Sequence, residues 1–447
     1  MKRWKIWALG LLVLSVVAIP LEEDSAPLKL RLVKKNVNRV LSRRLVEHEP
    51  KWRHVRRTER VGLDGTVRTD AAMVAIHGGI TAVGMYYSYV IVGGQKVDLQ
   101  IDTGSAMMAL PQLDCSSCRK GDNRYNPSKS STSSEVQCQD KKCSSSSYGG
   151  CTGNLCKFSL AYADSAYANG VLMCDTVDWG QAKGIDACFG AITKESANFE
   201  RDQVDGILGI AGESLSCNPS CITPLFDAAL EQKKIRKNMF TVCMDEKGGS
   251  LSLGAADESV FEDKDKIAYI PMEESSFYEI KLDSEKKGGQ IKVGNVEIIS
   301  TVHKVVVDTG TTLLSVPKSV FDKMKAVFLQ SYCSVKGLCG DDSWFDSGLC
   351  ETFDPAEEDD ILDNQLPVIT LRLKGGFIIE LTPRDYLLSY EFGNEHYMCL
   401  GIMYLAGTSH EFLLGNTVNL KYSMIYDREN HRLGIGKRAA SCTDVKE

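Results

Sequence analysis

Two stretches of the chain place a carboxylate at the end of an apolar run. Residues 99–111 read LQIDTGSAMMALP and residues 304–317 read KVVVDTGTTLLSVP. The first supplies Asp102, Thr103, Gly104 and Ser105; the second supplies Asp308, Thr309, Gly310 and Thr311. A lone Asp-Thr-Gly is ordinary turn chemistry, where Asp and Gly are common. Two copies, each after an apolar strand and each before a hydroxyl residue, point instead to two carboxylates meeting at one site. An unpaired buried carboxylate is costly because it loses its water. Two that share a site cannot both ionise easily, so one keeps a proton and the pair titrates as a unit. The ionised member can then take a proton from a water while the protonated member polarises a carbonyl, which hydrolyses a peptide bond without a covalent intermediate. Gly104 and Gly310 let backbone approach the carboxylates and the substrate. Thr103 and Thr309 can satisfy polar groups between the two loops.

The elements that position these loops are strands. Residues 85–102, MYYSYVIVGGQKVDLQID, read as a strand, a Gly-Gly turn at 93–94 and a second strand. In the second strand Val97, Leu99 and Ile101 alternate with Lys96, Asp98, Gln100 and Asp102, so period two sets Asp102 on the polar face. Similar runs occur at 248–254 and 366–383, and helical patterning is confined mainly to 223–235 and 317–330, which makes this a mostly-β protein. A weak internal repeat links the halves. QIDTGS is followed by VDGILGIAG (204–212), and VVDTGTT by EFLLGNTVN (411–419). Two homologous lobes, each giving one Asp to a shared cleft, explain the repeat. GILGIAG lacks the Lys-Ser/Thr of a phosphate loop and reads as strand and turn.

Length, charge and cysteine content bound the setting. The chain has 447 residues, enough for two lobes of ordinary domain size. Lys2, Arg3 and Lys5 precede the apolar stretch Ile6 to Ile19, a signal-peptide pattern assigned to 1–26. A basic pro-segment is assigned to 27–80, an N-terminal lobe to 81–225 and a C-terminal lobe to 226–447. Paired arginines at 43–44 and 56–57 are candidate processing points. Residues 1–60 hold 15 Lys/Arg against 6 Asp/Glu, a net +9; the whole chain is −7, leaving −16 for the rest. So acidic a body argues against nucleic-acid binding. Sixteen cysteines suit an oxidising compartment, as bridges rather than metal ligands. CSSC at 115–118 has ligand spacing, but there is no second CxxC and only seven His, so neither metal nor cofactor is expected. No second apolar run of spanning length follows the leader, and RAASCTDVKE at the end carries no anchor. The expectation is a soluble monomer of the secretory pathway, secreted or in a lysosome- or vacuole-like compartment, acting on proteins or peptides. Asn126 and Asn218 precede Pro and are not glycosylation acceptors.

From about residue 85 to 437 the chain resembles the pepsin family of aspartic proteases. The resemblance rests on both Asp-Thr-Gly loops, DGILGIA (205–211) and YDRENHRLGIG (426–436). It implies a bilobal fold with the cleft between homologous lobes and Asp102 and Asp308 as the catalytic pair. It places Tyr162, in AYADSAYANG (161–170), at the tyrosine of the flap over the cleft. Six cysteines between 115 and 156, with DACFGA (186–191) and FTVCM (240–244), resemble the nepenthesin and plasmepsin V-like branch. Further implications are a bridge between Cys350 and Cys399, synthesis as a zymogen, and an acidic optimum aided by Thr311 on Asp308. The pattern is broken at Ala109, where the family has Trp, at Ala163 and Ser165, where the flap has glycines, and at Asn416, where LGN replaces LGD. These departures bear on flap motion and subsite preference. The alternative is a catalytically inactive binding or inhibitor protein on the same fold, since fold alone does not set function; both aspartates are nevertheless present.

Overall fold

The computed structural model describes residues 71–79, 85–119, 123–143, 150–161, 166–196, 204–216, 222–284, 290–339, 344–345, 350–392, 395–404 and 411–442. The leader, residues 27–70 of the basic segment, Tyr162, Ala163 and Ser165 lie outside them.

The architecture is mostly β and bilobal. Strand β1 (Ala72–Gly79) begins the described chain, followed by β2 (Met85–Val92), β3 (Gln95–Asp102) and β4 (Met108–Pro111). β2 and β3 form a tight hairpin, Val92 opposite Gln95. Gly93 and Gly94 between them have φ of 55° and 77°, the left-handed pair that matches the twist of paired strands. At Gly93 a Cβ would also stand 2.2 Å from Asp175 Oδ2, so no other residue fits.

The repeat in the sequence is a repeat in topology. β3 runs parallel to Gly206–Gly209, that strand runs antiparallel to β4, and β4 runs parallel to Ala182–Glu195. In the second half Lys304–Val307 runs parallel to Phe412–Leu414, which runs antiparallel to Leu314–Ser315, which runs parallel to Ile402–Met403. Order and sense agree pair by pair. The apolar strands ending in Gly209 and preceding Gly415 are thus the direct partners of the two strands that lead into Asp-Thr-Gly.

A long sheet joins the halves. Ala268–Pro271, Arg432–Lys437, Tyr422–Asp427, Met239–Asp245 and Gly248–Leu253 continue through β1 into β2 and β3. Aromatic packing fills its underside: Phe240 stacks on Tyr426 with centroids 4.4 Å apart, and Tyr278 meets Tyr426 edge-on at 4.7 Å. Trp179 is fully buried in the first half, its indole N–H donating to Ser88 Oγ at 3.2 Å. Helices are few, chiefly Leu225–Glu231 and Lys318–Ser331, and none among the described residues is long and apolar enough to cross a membrane.

The polar segment 115–156 is closed by bridges Cys115–Cys118, Cys138–Cys151 and Cys143–Cys156. The CSSC pair is therefore spent on a disulfide. Further bridges are Cys174–Cys188, Cys243–Cys442, Cys333–Cys339 and Cys350–Cys399, and no described cysteine is free. Asp175 ties this segment to the long hairpin behind it. It accepts from Tyr125 Oη at 2.6 Å, Ser130 Oγ at 2.9 Å, Thr132 Oγ1 at 2.5 Å and the Thr176 N–H at 2.8 Å. Burial opposes its charge, but these donors outweigh burial and hold the carboxyl below its ordinary range.

A prediction follows from that sign. Asp175→Asn is expected to cost about 2 kcal/mol at neutral pH through lost charge-assisted bonds. Because the folded pKa is depressed, wild type loses the same stabilisation as pH falls below about 4, and the deficit should shrink there. Urea unfolding of both proteins at neutral and at strongly acid pH checks this; an equal deficit at both would contradict it.

Candidate active site

β3 drives one face, Val97, Leu99 and Ile101, into the core. The opposite face runs from exposed Lys96 through half-buried Asp98 to a sealed end, where Gln100 is 1% exposed and Asp102 0%. It meets the second half of the chain, and the Gln100 amide donates to the Gly310 carbonyl at 3.2 Å. A polar strand face here marks contact between lobes rather than a surface.

Two threonines lock the loops. The Thr103 N–H donates to Thr309 Oγ1 at 3.0 Å, and the Thr309 N–H donates to Thr103 Oγ1 at 2.9 Å. Each hydroxyl then donates to the strand of the opposite half: Thr103 to the Val307 carbonyl at 3.0 Å and Thr309 to the Ile101 carbonyl at 2.8 Å. Both residues are fully buried, so none of these bonds competes with water.

The carboxyls carry mirrored donor sets. The Gly104 N–H donates to Asp102 Oδ1 at 2.8 Å, and the Gly310 N–H donates to Asp308 Oδ1 at 2.9 Å. The Ser105 hydroxyl bonds Asp102 Oδ2 and the Thr311 hydroxyl bonds Asp308 Oδ2. A Cβ at Gly310 would lie 2.4 Å from Asp102 Oδ1 and 3.2 Å from Asp308 Oδ1, so only glycine lets the two acids face one point. Burial first, then the neighbouring Asp308 charge, push Asp102 well above the usual carboxylate range, against the opposing bonds from Ser105 and Gly104.

The strands paired with β3 and Lys304–Val307 hold the loops from behind. The Ile210 N–H donates to the Asp102 carbonyl at 2.9 Å and the Ala211 N–H to the Ser105 carbonyl at 2.8 Å. In the other half the Asp308 N–H donates to the Leu414 carbonyl at 3.1 Å and the Asn416 N–H to the Thr311 carbonyl at 2.9 Å. The Asn416 side chain adds a bond to the Thr309 carbonyl at 3.1 Å, giving the LGN departure a local role. Ala109 is buried on β4 beside Met85, Met107 and Ile207. Cys350 and Cys399 stand opposite each other on paired strands and are bonded.

Asp102, Thr103, Gly104, Ser105, Asp308, Thr309, Gly310 and Thr311 thus converge, while Tyr162 lies outside the described residues. Gln100 is the residue that motif reading missed; its signal was a polar side chain two positions before Asp102 on the same strand face. Among the described residues, the group with metal-like spacing is Cys138, Cys143 and Cys151, and each of these sulfurs is already in a disulfide.

Comparison with known proteins agrees with this geometry. The family model described as eukaryotic aspartyl protease matches residues 85–438. Cathepsin E of Aquarana catesbeiana is 27% identical over 78% of this chain and 78% of its own, and pepsin A of Rhinolophus ferrumequinum is 26% identical over 76% and 77%. Rhizopuspepsin-1 of Rhizopus niveus is 30% identical over 54% of this chain and 56% of its own. With the family model spanning most of the chain and two Asp-Thr-Gly loops interlocked at its centre, the protein belongs to the eukaryotic aspartyl proteases and is an aspartic-type endopeptidase.

Proposed function

We propose that Asp102 and Asp308 are the catalytic pair of this endopeptidase, acting at acidic pH on protein or peptide substrates. One observation carries the reading: two buried acids face one point around Gly310, each gripped by a glycine N–H and a hydroxyl. That environment stabilises a pair holding one proton between two carboxyls, the arrangement established for aspartic proteases. The ionised acid takes a proton from a water between them as its oxygen attacks the peptide carbonyl carbon. The protonated acid gives its proton to the carbonyl oxygen, and a tetrahedral diol forms. One acid then gives its proton to the amide nitrogen while the other takes a proton from a diol hydroxyl, so the C–N bond breaks to an amine and a carboxylic acid and the pair is left with its single proton. Ser105 and Thr311 hold the carboxyl planes, and Thr103 and Thr309 hold the loops. Tyr162 is proposed to close over the substrate.

The remaining assignments are part of the same proposal. Residues 1–26 direct the chain into the secretory pathway, towards secretion or a lysosome-like compartment, and 27–80 contain a basic segment that keeps the enzyme inactive. The segment's positive charge is opposite in sign to the net −15 of residues 81–447, an attraction that holds it at neutral pH. Acid protonates body carboxylates while Lys and Arg stay charged, so the attraction weakens. β1 lies within 27–80 yet is paired along its length, first with Gly249–Leu253 and then with Met85–Tyr87, so the part proposed to leave is the part before Ala72. The lobes divide near residue 225, no metal or cofactor takes part, and the enzyme acts as a monomer.

Asp102→Asn and Asp308→Asn should each lower turnover of a denatured protein about a thousandfold or more with the fold intact. Near-normal hydrolysis by either variant would remove the assignment and favour a binding protein.

The pH response has a defined sign. Activity needs one proton on the pair, so its profile should be bell-shaped, with its maximum below neutral. Folded Asp102 keeps its proton above the pH at which the unfolded chain releases it, so the folded state binds more protons. Stability should therefore fall as pH rises from about 4 through the raised pKa, and Asp102→Asn should flatten that decline. Thermal unfolding and rates across pH test both; an activity maximum above neutral pH would contradict the reading.

For the proform, incubation at falling pH should produce activity together with a new N-terminus downstream of Arg43. Full activity at neutral pH with the segment still attached would show that it does not inhibit.

A further inference from the structure

The two halves match in topology and in their donors to the carboxyls, but they differ two residues before each aspartate. That position is Gln100 on β3 and Val306 on the strand Lys304–Val307, both 1% exposed. Val306 shows that an apolar side chain suits this environment. Gln100 instead donates from Nε2 to the Gly310 carbonyl, while its Oε1 is buried without a hydrogen-bond partner. The orientation is fixed by chemistry, because the flipped amide would set Oε1 against another acceptor. A buried orphan acceptor works against stability, and rule-breaking of this kind concentrates at functional sites.

The group that Gln100 holds is critical. The Gly310 carbonyl belongs to the Gly310–Thr311 peptide, which lies between the two donors to Asp308, the Gly310 N–H and the Thr311 hydroxyl. Glycine leaves the adjacent peptide free to rotate, and Gly310 sits hard against Asp102 Oδ1. We infer that Gln100 is a positioning residue for the dyad, clamping the Gly310–Thr311 peptide so that both donors to Asp308 stay aligned. The clamp is one-sided: Val306 has no donor to offer the corresponding Gly104–Ser105 peptide. The inference rests on the reading of Asp102 and Asp308 as the catalytic pair.

Titratable groups around position 100 are Asp98 and Asp102 on its own strand face, Tyr87 opposite on β2, and Asp308 beyond Gly310; its neighbour on the other side, Ile207, is apolar. Two substitutions use this setting. Gln100→Met keeps length and flexibility but removes the donor. Gln100→Glu can donate to the Gly310 carbonyl only while protonated. As it ionises, the donor is lost and a charge is added beside the dyad.

The test measures kcat, KM, pH profile and thermal midpoint for wild type, Gln100→Met, Gln100→Glu and Asp102→Asn in parallel on one unfolded protein substrate. Gln100→Met should lose about tenfold or more in kcat, with KM within about twofold, because the dyad is misplaced rather than the substrate site. Its midpoint should stay close to that of wild type, since the orphan amide oxygen is exchanged for an unpaired Gly310 carbonyl. Gln100→Glu should keep more activity at acid pH than Gln100→Met, with its alkaline limb displaced to lower pH. Substantial turnover by Asp102→Asn would overturn the dyad reading and this inference with it. With Asp102→Asn inactive, wild-type kcat in Gln100→Met overturns the inference alone. So does a loss of kcat accompanied by a lower midpoint and the same pH profile in both variants, the pattern of mere packing. Should Gln100→Met fail to fold, Gln100→Glu decides: a wild-type alkaline limb overturns the clamp and a displaced one supports it.

Discussion

Two acids kept next to each other and away from water are the constraint on which the rest of the molecule depends. Left alone, such a pair would be expelled by solvation and by like-charge repulsion. The chain resists with hydrogen bonds that cross between its halves. Thr103 and Thr309 each donate twice and accept once across the boundary, and one hydroxyl of each exchange ends on the strand that delivers the opposite aspartate. Neither half can present its carboxyl correctly without the other. The two Asp-Thr-Gly loops are therefore one cooperative unit drawn from distant sequence, and the parallel strands behind them supply the rigid backing.

The symmetry of that unit explains why its motif occurs twice in the sequence, and its exceptions show where the halves have separated in role. Ser105 and Thr311 differ by a methyl group, yet both reach the outer carboxyl oxygen. Asn416 bonds the Thr309 carbonyl from the strand end, while the matching strand of the first half continues through Ile210 and Ala211, which offer only backbone. Gln100 is a second exception, and it acts from the first half on the second. Each exception lies at a loop already held by the shared bonds, so local change is tolerated there without undoing the placement of the acids.

The meeting of the two Asp-Thr-Gly loops, the paired strands and the mostly-β class were legible because each is written locally: a motif, its flanks and a two-residue period. What the period could not reveal was the surroundings of a face. Lys96, Asp98, Gln100 and Asp102 alternate as a solvent-facing row would, yet Gln100 and Asp102 are sealed beneath the other lobe, information held in residues about Gly310. Apart from Cys350–Cys399, which the family resemblance implied, disulfide partners were illegible for the same reason, since sixteen cysteines admit many pairings and only the fold brings Cys243 to Cys442. Asn416 was visible as a departure from pattern, but its partner, Thr309, lies in another segment.

β1 carries a mechanical consequence. Ala72 to Ile76 pair with Leu253 to Gly249, and His77 to Gly79 pair with Tyr87 to Met85. One strand thus belongs to two ladders in succession and changes partner between Ile76 and His77. A ladder resists bending along its length because every rung must yield together, whereas the point where partners change has no rung in common. Tilting of one ladder against the other is accordingly concentrated in the backbone at that junction. That junction, in the first of the described strands, is where a pivot would lie.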